Sequence, residues 1–441
     1  MKLKPFGNPP KLRSSFIVNN HGISVFTSDQ IGLLEFCDFE RQPPGTILRD
    51  FDTLLELIGD AGMPVTPAHL IAMGQLQSIN SRLSHPIKLD NKRPVQKSYP
   101  LINGLYLVLR STGLVTLDCL SKKSALMKLD PDILATWRSL NAAERYFELL
   151  KAWWGRSRAD IIGDQTGGYF DRYTFQLMDF PKWIRKNQGI VTITQPKEAE
   201  MLKYRISLHN VALMESFGFI KIQLMDSSMA RNWSPREILL TEWGNTVLGS
   251  YLDLYYKSPK PGDGFADKSM ELDLGEVLEP LEHFGRWSRS MRPYIRGWLR
   301  ELYIPEPEFQ AGTHVFSVSL GKGCWRRIAL AGEEDFALFA AVILDAFDFD
   351  HDHLHRFSFK DRFGRTQEID HQYMSDSGNP LDCEVKIGEI QMHKGMAIGF
   401  LFDFGDNWEF AIVIEEVSAS SQIETRKIMG GHGKAPTQYG D

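Results

Sequence analysis

The chain has 441 residues, 50 Lys and Arg against 56 Asp and Glu, a formal charge of −6 and 43% hydrophobic residues. That length suits about two to four domains, and the apolar share rules out a chain disordered throughout. No run reaches the roughly 18 apolar residues of a membrane helix, MKLKPFGNPPKLRSSF lacks a secretory apolar stretch, and Cys37, Cys119, Cys324 and Cys383 are too scattered for a cysteine-built zinc site or a disulfide framework, so a reduced, cytoplasmic protein without membrane contact is expected.

Charge is unevenly spread: residues 1–120 sum to +2, 121–260 to +5 and 261–441 to −13. A basic middle joined to an acidic end suits a nucleic-acid-facing module beside one that phosphate would repel, although a modest excess also suits an ordinary solvated surface.

Residues 1–60 carry no readable signal. Thr66-Pro67 reads as an N-cap with proline at the first helical position, opening an apolar-periodic helix through Leu70, Met73, Leu76, Ile79, Asn80 and Leu83. LINGLYLVLRSTG predicts a helix from Pro100 to a stop at Gly113, and LVTLD a strand after it. Asn141-Ala-Ala-Glu144 is a capping box whose helix places Tyr146, Leu149, Leu150 and Trp153 at helical spacing. The pattern then predicts a helix over Pro196–Ser216, a strand over Phe219–Met225, a polar loop to Pro235, a strand over Arg236–Leu240 and a helix from Thr241 to about Tyr255. Helix, strand, loop, strand is the order of a winged helix. LTEWG at 240–244 resembles the end of the second wing strand, where Thr caps the next helix and Gly allows close packing.

In such a unit the helix over 202–216 would enter the DNA groove. Lys203, Arg205 and Asn210 would serve there, and Lys221, Arg231 and Arg236 on or near the wing, with Arg and Lys meeting phosphate and Arg or Asn reading base edges. Many winged helices bind proteins instead, and this one is only mildly basic. SPKPGDG at 258–264 reads as a linker, 286–300 as helical with five arginines, and IPEPEFQAG at 304–312 as a second linker.

In the C-terminal part HVFSVSL (314–320) and WRRIALA (325–331) are strand-like, and Glu333-Glu-Asp335 opens a helix with Phe336, Phe339, Ala340, Ile343, Leu344 and Phe347 on one face. HLHRFSF (353–359) reads as a strand; after a long polar loop, 397–417 reads as a hairpin about Gly405-Asp406-Asn407. The fold class is multidomain α+β: helical and winged-helix-like N-terminal and middle units followed by an α+β domain with a mainly antiparallel sheet. The expected boundaries are a mixed helical unit at 1–120, a winged-helix-like unit at 121–257, a helical connector at 265–303 and the α+β domain at 313–441.

H-L-H-x-F at His353–Phe357, D-F-G-D-x-W-E at Asp403–Glu409 and the tail G-x-G-K-A-P at Gly431–Pro436 together resemble the plasmid pRiA4b ORF-3-like family, over about residues 313–441. Members of that family are described as mobile-element passengers with a resolvase-like name, and the resemblance implies an α+β domain of unestablished activity. No serine recombinase arrangement accompanies it. Two departures stand out. The family continues W-E-H where this chain has Phe410, and its tail often runs P-P-E-D where this chain has Pro436-Thr437-Gln438-Tyr439.

His353 and His355, two apart on the expected strand, would share a face and, with Asp403 or Asp406, would supply imidazole and carboxylate ligands to a divalent metal. The bland alternative is a core face, because Phe357 and Phe359 lie on it too. Asp406 at the turn would accept backbone amide bonds, and Trp408 would anchor the hairpin. His351, Asp352 and His371 enlarge the cluster without setting a geometry. Walker, dinucleotide-fingerprint, H-E-x-x-H and G-x-S-x-G patterns are absent from the sequence. The favoured reading is a non-enzymatic cytoplasmic adaptor of plasmid or mobile-element type. It would bind duplex DNA through residues 121–260, or a protein partner, and shows no evident cofactor. The alternative is a metal-dependent enzyme, acting on nucleic acid, with His353, His355 and Asp403 as metal ligands.

Overall fold

The computed structural model describes residues 17–18, 24–121, 124–164, 180–226, 233–257, 280–419 and 427–439. The chain divides into two compact units: Met1–Met63, Leu70–Val115 and Leu129–Tyr303 form the first, and Pro64–His69, Thr116–Lys128 and Ile304–Asp441 the second. It is a multidomain α+β protein. Arg231 and the linker at 258–264 lie outside the described residues.

In the first unit a short ribbon of β1 (Ile17–Val18) and β2 (Ser24–Val25) precedes α1 (Ser28–Glu35) and α2 (Ile47–Ile58). β3 (Met63–Val65) follows, where the chain passes into the second unit, and α3 (Met73–Arg82) comes after its return. The helix expected from Thr66 starts at Met73 because Thr66–His69 closes a turn, with the His69 amide bonded to the Thr66 carbonyl and His69 at φ 59°. α4 (Pro100–Thr112) has proline at its start and ends on Gly113 in the left-handed conformation that glycine adopts without strain.

β4 (Val115–Ser121) and β5 (Ser124–Leu129) form a three-stranded sheet with β3 in which β5 is central; most of these strand residues belong to the second unit. Back in the first unit, α5 (Pro131–Ser139) and α6 (Ala142–Lys151) come next. The capping box at α6 is complete: Asn141 Oδ1 accepts from the Glu144 amide at 3.0 Å, and Glu144 Oε2 from the Asn141 amide at 2.9 Å. Those bonds satisfy two amides that the helix start leaves open.

The middle region runs α7 (residues 180–186), β6 (Ile190–Thr192), α8 (Pro196–Arg205), α9 (Leu208–Ser216), β7 (Ile220–Leu224), β8 (Pro235–Leu240) and α10 (Glu242–Lys257). β8 is the middle strand of an antiparallel sheet, between β6 and β7. The single helix expected over Pro196–Ser216 is two, because Ile206 is buried in an extended conformation (φ −150°, ψ 110°) and turns the chain. Thr241 caps α10, its Oγ1 accepting from the Gly244 amide at 2.8 Å; a Cβ on Gly244 would collide with the Phe219 backbone. α11 (Pro280–Met291) closes this series, burying Phe284 and Trp287.

The second unit is dominated by β9 (Thr313–Leu320), β10 (Cys324–Ala331), α12 (Phe336–Phe347), β11 (His355–Lys360), β12 (Thr366–Asp370), β13 (Ala397–Phe402), β14 (Trp408–Ser418) and β15 (Lys427–His432). The strands form one antiparallel sheet in the order β12-β11-β13-β14-β9-β10-β15. Asp335 caps α12, accepting from the Leu338 amide at 2.7 Å, and the helix buries Phe336, Phe339, Ile343 and Phe347 in one core with Phe316, Phe357, Phe400, Phe410 and Ile412 of the sheet. Each such side chain contributes on the order of 1.5–3 kcal/mol by leaving water. β12 lies in the stretch read from sequence as a polar loop, and β11 begins at His355, two residues later than expected.

Candidate metal centre

Antiparallel pairing of β11 with β12 sets Arg356 opposite Asp370, and the residues just before and just after that pair are His355 and His371. The His371 amide bonds to the His355 carbonyl at 3.1 Å, which brings the two imidazoles edge to face with centroids 4.6 Å apart. Asp382 joins them from the following loop. Its amide bonds to the Asp370 carbonyl at 2.8 Å, and its own carbonyl accepts from Ala337 at the start of α12.

His355 Nε2 lies 2.8 Å from Asp382 Oδ2, both side chains being buried. The other carboxylate oxygen, Oδ1, is buried with no hydrogen-bond partner among the described residues. His371, half-buried, completes a set in which one ligand atom from each residue lies within 4.8 Å of the others. Burial, and then the neighbouring His355, lower the His371 pKa against the pull of Asp382, so its ring favours the neutral form.

Arg356 and Asp370 hold this corner. The guanidinium binds both oxygens of Asp370, through Nε and through Nη2, the latter at 3.0 Å, while Asn379 donates to Asp370 Oδ2 at 2.9 Å and ties down the loop leading to Asp382. Burial alone would raise the Asp370 pKa, but hydrogen bonds led by Arg356 bring it below the ordinary carboxylate value.

The cluster expected from sequence separates into different places. His353 precedes β11 and follows no strand alternation; its Nε2 is 3.5 Å from Asp403 Oδ2 and 3.6 Å from Asp352 Oδ1. Thus His351, His353 and His355 each meet different acids: His351 meets Asp345, His353 meets Asp403 and Asp352, and His355 meets Asp382. Of the expected ligand set His353, His355 and Asp403, His355 belongs to the buried group with His371 and Asp382, while His353 and Asp403 face each other outside it.

Asp403 is a turn residue. At φ 57° its Oδ1 accepts from the Gly405 amide at 2.8 Å and from the Asp406 amide at 3.4 Å, so the amide-accepting role expected of Asp406 falls to Asp403, and Asp406 stands exposed. Trp408 packs edge-on against Phe349 with centroids 5.1 Å apart, an anchoring contact. Phe410 is buried against Phe347, Phe349 and Phe400. The altered tail bonds to Asp352, with Tyr439 Oη donating to Oδ2 at 2.6 Å and Gln438 Nε2 to Oδ1 at 3.2 Å. Asp382 gave no sequence signal, whereas His371 would have emerged from pairing TQEID with HRFSFK as a hairpin.

The residues expected to meet DNA are also redistributed. Asn210 is fully buried on α9, its Oδ1 accepting from Trp153 Nε1 at 3.0 Å, so it cannot read a base. Its neighbours His209, Val211, Ala212, Leu213, Met214 and Ser216 are buried as well, and α9 packs against α4, where Gly104 leaves room for Leu213. Lys203 and Arg205 lie on α8 rather than on α9, Lys221 is exposed on β7, and Arg236 is half-buried on β8.

The model of the plasmid pRiA4b ORF-3-like protein family matches residues 316–438, and the C-terminal domain resembles that family. Among solved structures, the protein of unknown function MM3350 from Methanosarcina mazei Go1 is similar at 19% identity and a TM-score of 0.26, over 29% of this chain and 72% of that one. No curated protein matches the chain. No helix among the described residues is long and apolar enough to cross a membrane.

Proposed function

We propose that this chain is a non-enzymatic, cytoplasmic binding protein of plasmid type that holds duplex DNA by its phosphates, through the middle region, without inserting a helix into the major groove. What supports this reading is the order α7, β6, α8, α9, β7, β8 with β8 central, which is similar to the order of elements in winged helices. Residues 180–240 contain nine Lys and Arg against five Asp and Glu, and Lys186, Lys197 and Lys221 are exposed. The burial of α9 and Asn210 argues against base reading, which leaves backbone contact as the mode that fits.

Fluorescence anisotropy of the full chain with a mixed-sequence duplex, over a salt series, tests this. Binding should weaken linearly in log–log form as salt rises, with similar affinity for unrelated sequences. Each of Lys186→Ala, Lys197→Ala and Lys221→Ala should lower the slope by about one. Absent or salt-insensitive binding, or a slope unmoved in the triple variant, would overturn the proposal.

A further inference from the structure

We propose that His355, His371 and Asp382 form a binding site for one first-row transition-metal ion, independent of any DNA contact. A buried carboxylate normally satisfies both oxygens, because an oxygen sealed from water without a partner loses its hydration and gains nothing in return. Asp382 Oδ1 carries that cost at 1% residue exposure, next to two imidazoles.

The bland account, a structural His355–Asp382 hydrogen bond, explains one oxygen and one ring. It leaves unexplained why Oδ1 is sealed without a partner among the described residues and why a second imidazole, that of His371, stands edge to face against the same pair. A cation between the three residues would use both features.

The donor set also selects the ion. Two imidazoles and one carboxylate suit zinc, cobalt, nickel or iron(II), whereas magnesium and calcium prefer oxygen throughout. Ligand atoms already within 4.8 Å of one another need only modest closure to reach metal–nitrogen and metal–oxygen bonds of about 2.0–2.2 Å. On binding, the proton on His355 Nε2 would move to Nδ1 or leave to solvent, freeing Nε2 from Asp382 for the ion, and His371 would give up the bond its Nδ1 accepts from the Tyr373 amide at 3.2 Å. Tyr373 is largely exposed beside His371, with ring centroids 5.0 Å apart, so the open side of the set lies at His371. Three protein ligands leave a fourth tetrahedral position for water or a ligand. The Arg356–Asp370 pair acts as a positioning element, fixing the two strands whose next residues are the histidines.

The test is calorimetric titration of zinc into the full chain, purified without a histidine tag and stripped with chelator. One ion per chain is expected. Outer-shell changes alone weaken metal sites by about 10–100-fold, so His371→Ala and Asp382→Asn should each weaken binding by more than about 100-fold, while His353→Ala leaves it unchanged. Because His371 is half-buried, His371→Ala and His371→Gln decide the question even if Asp382→Asn misfolds; unchanged melting of the metal-free His371 variants checks their fold. No zinc binding by the wild-type chain, or binding that survives in the His371 variants, would overturn the proposal.

Discussion

Asn210 on α9 and Asp382 beside β11 are both almost wholly enclosed, yet they are used differently. Asn210 is bonded to Trp153 at the centre of a helical core, so a polar residue in a helix expected to read DNA is instead part of how that helix packs. Asp382 meets His355 with one oxygen and keeps the other sealed without a partner among the described residues, next to a second histidine. What separates them is the company each keeps: Asn210 is bonded to a tryptophan within a helical core, whereas the bare oxygen of Asp382 lies beside two imidazoles that can share a cation with it.

The same contrast ranks the variants. The largest effect is expected at Phe410, for Phe410→His: an imidazole among Phe347, Phe349 and Phe400 should cost about 3–5 kcal/mol, read by chemical denaturation. An undiminished midpoint would mean that the position tolerates a polar ring and that the core boundary lies elsewhere.

Next comes pH. Burial pulls the His209 and His283 pKa values down to about 4, so both stay neutral in the folded chain while the unfolded chain takes up protons near 6.5. The unfolded state therefore binds more protons below about 6.5, and the stability of the helical unit should fall as pH drops towards 4, by up to about 3 kcal/mol per histidine. Glu215 acts with the opposite sign: burial raises its pKa to about 7, so its contribution is lost as pH rises from about 4.5 to 7. Melting curves across this range should pass through a maximum at mildly acidic to neutral pH, and His209→Gln should flatten the acid limb.

Asn210→Ala should cost about 1–3 kcal/mol through the lost bond to Trp153, while leaving the salt dependence of any DNA binding unchanged. A change in that slope would place α9 back at the nucleic acid. Smallest is Asp403→Ala, which removes the turn bonds to Gly405 and Asp406 at a left-handed position; about 1–2 kcal/mol is expected, with zinc affinity untouched.

Local signals were legible where a single segment carries its own instructions. The capping box at Asn141–Glu144, the Pro100 start and Gly113 stop of α4, the Asp335 cap and the hairpin at 397–417 all read directly from residue spacing. The break at Ile206–Ser207 did not, because both halves are apolar-periodic and only tertiary burial of Ile206 bends the chain. The site was half legible. His355 stood out in its motif, but its partners depend on the β11–β12 register and on a loop that returns past Asp370, which no spacing within one segment encodes.

The most direct test uses the imidazole nitrogens of the twelve histidines as reporters in a long-range proton–nitrogen NMR spectrum, recorded before and after one equivalent of zinc. The expected result is that the resonances of His355 and His371 alone move to metal-bound positions, with His209, His283 and His353 unmoved. Movement at His353 without His371, or no movement at all, would contradict the account.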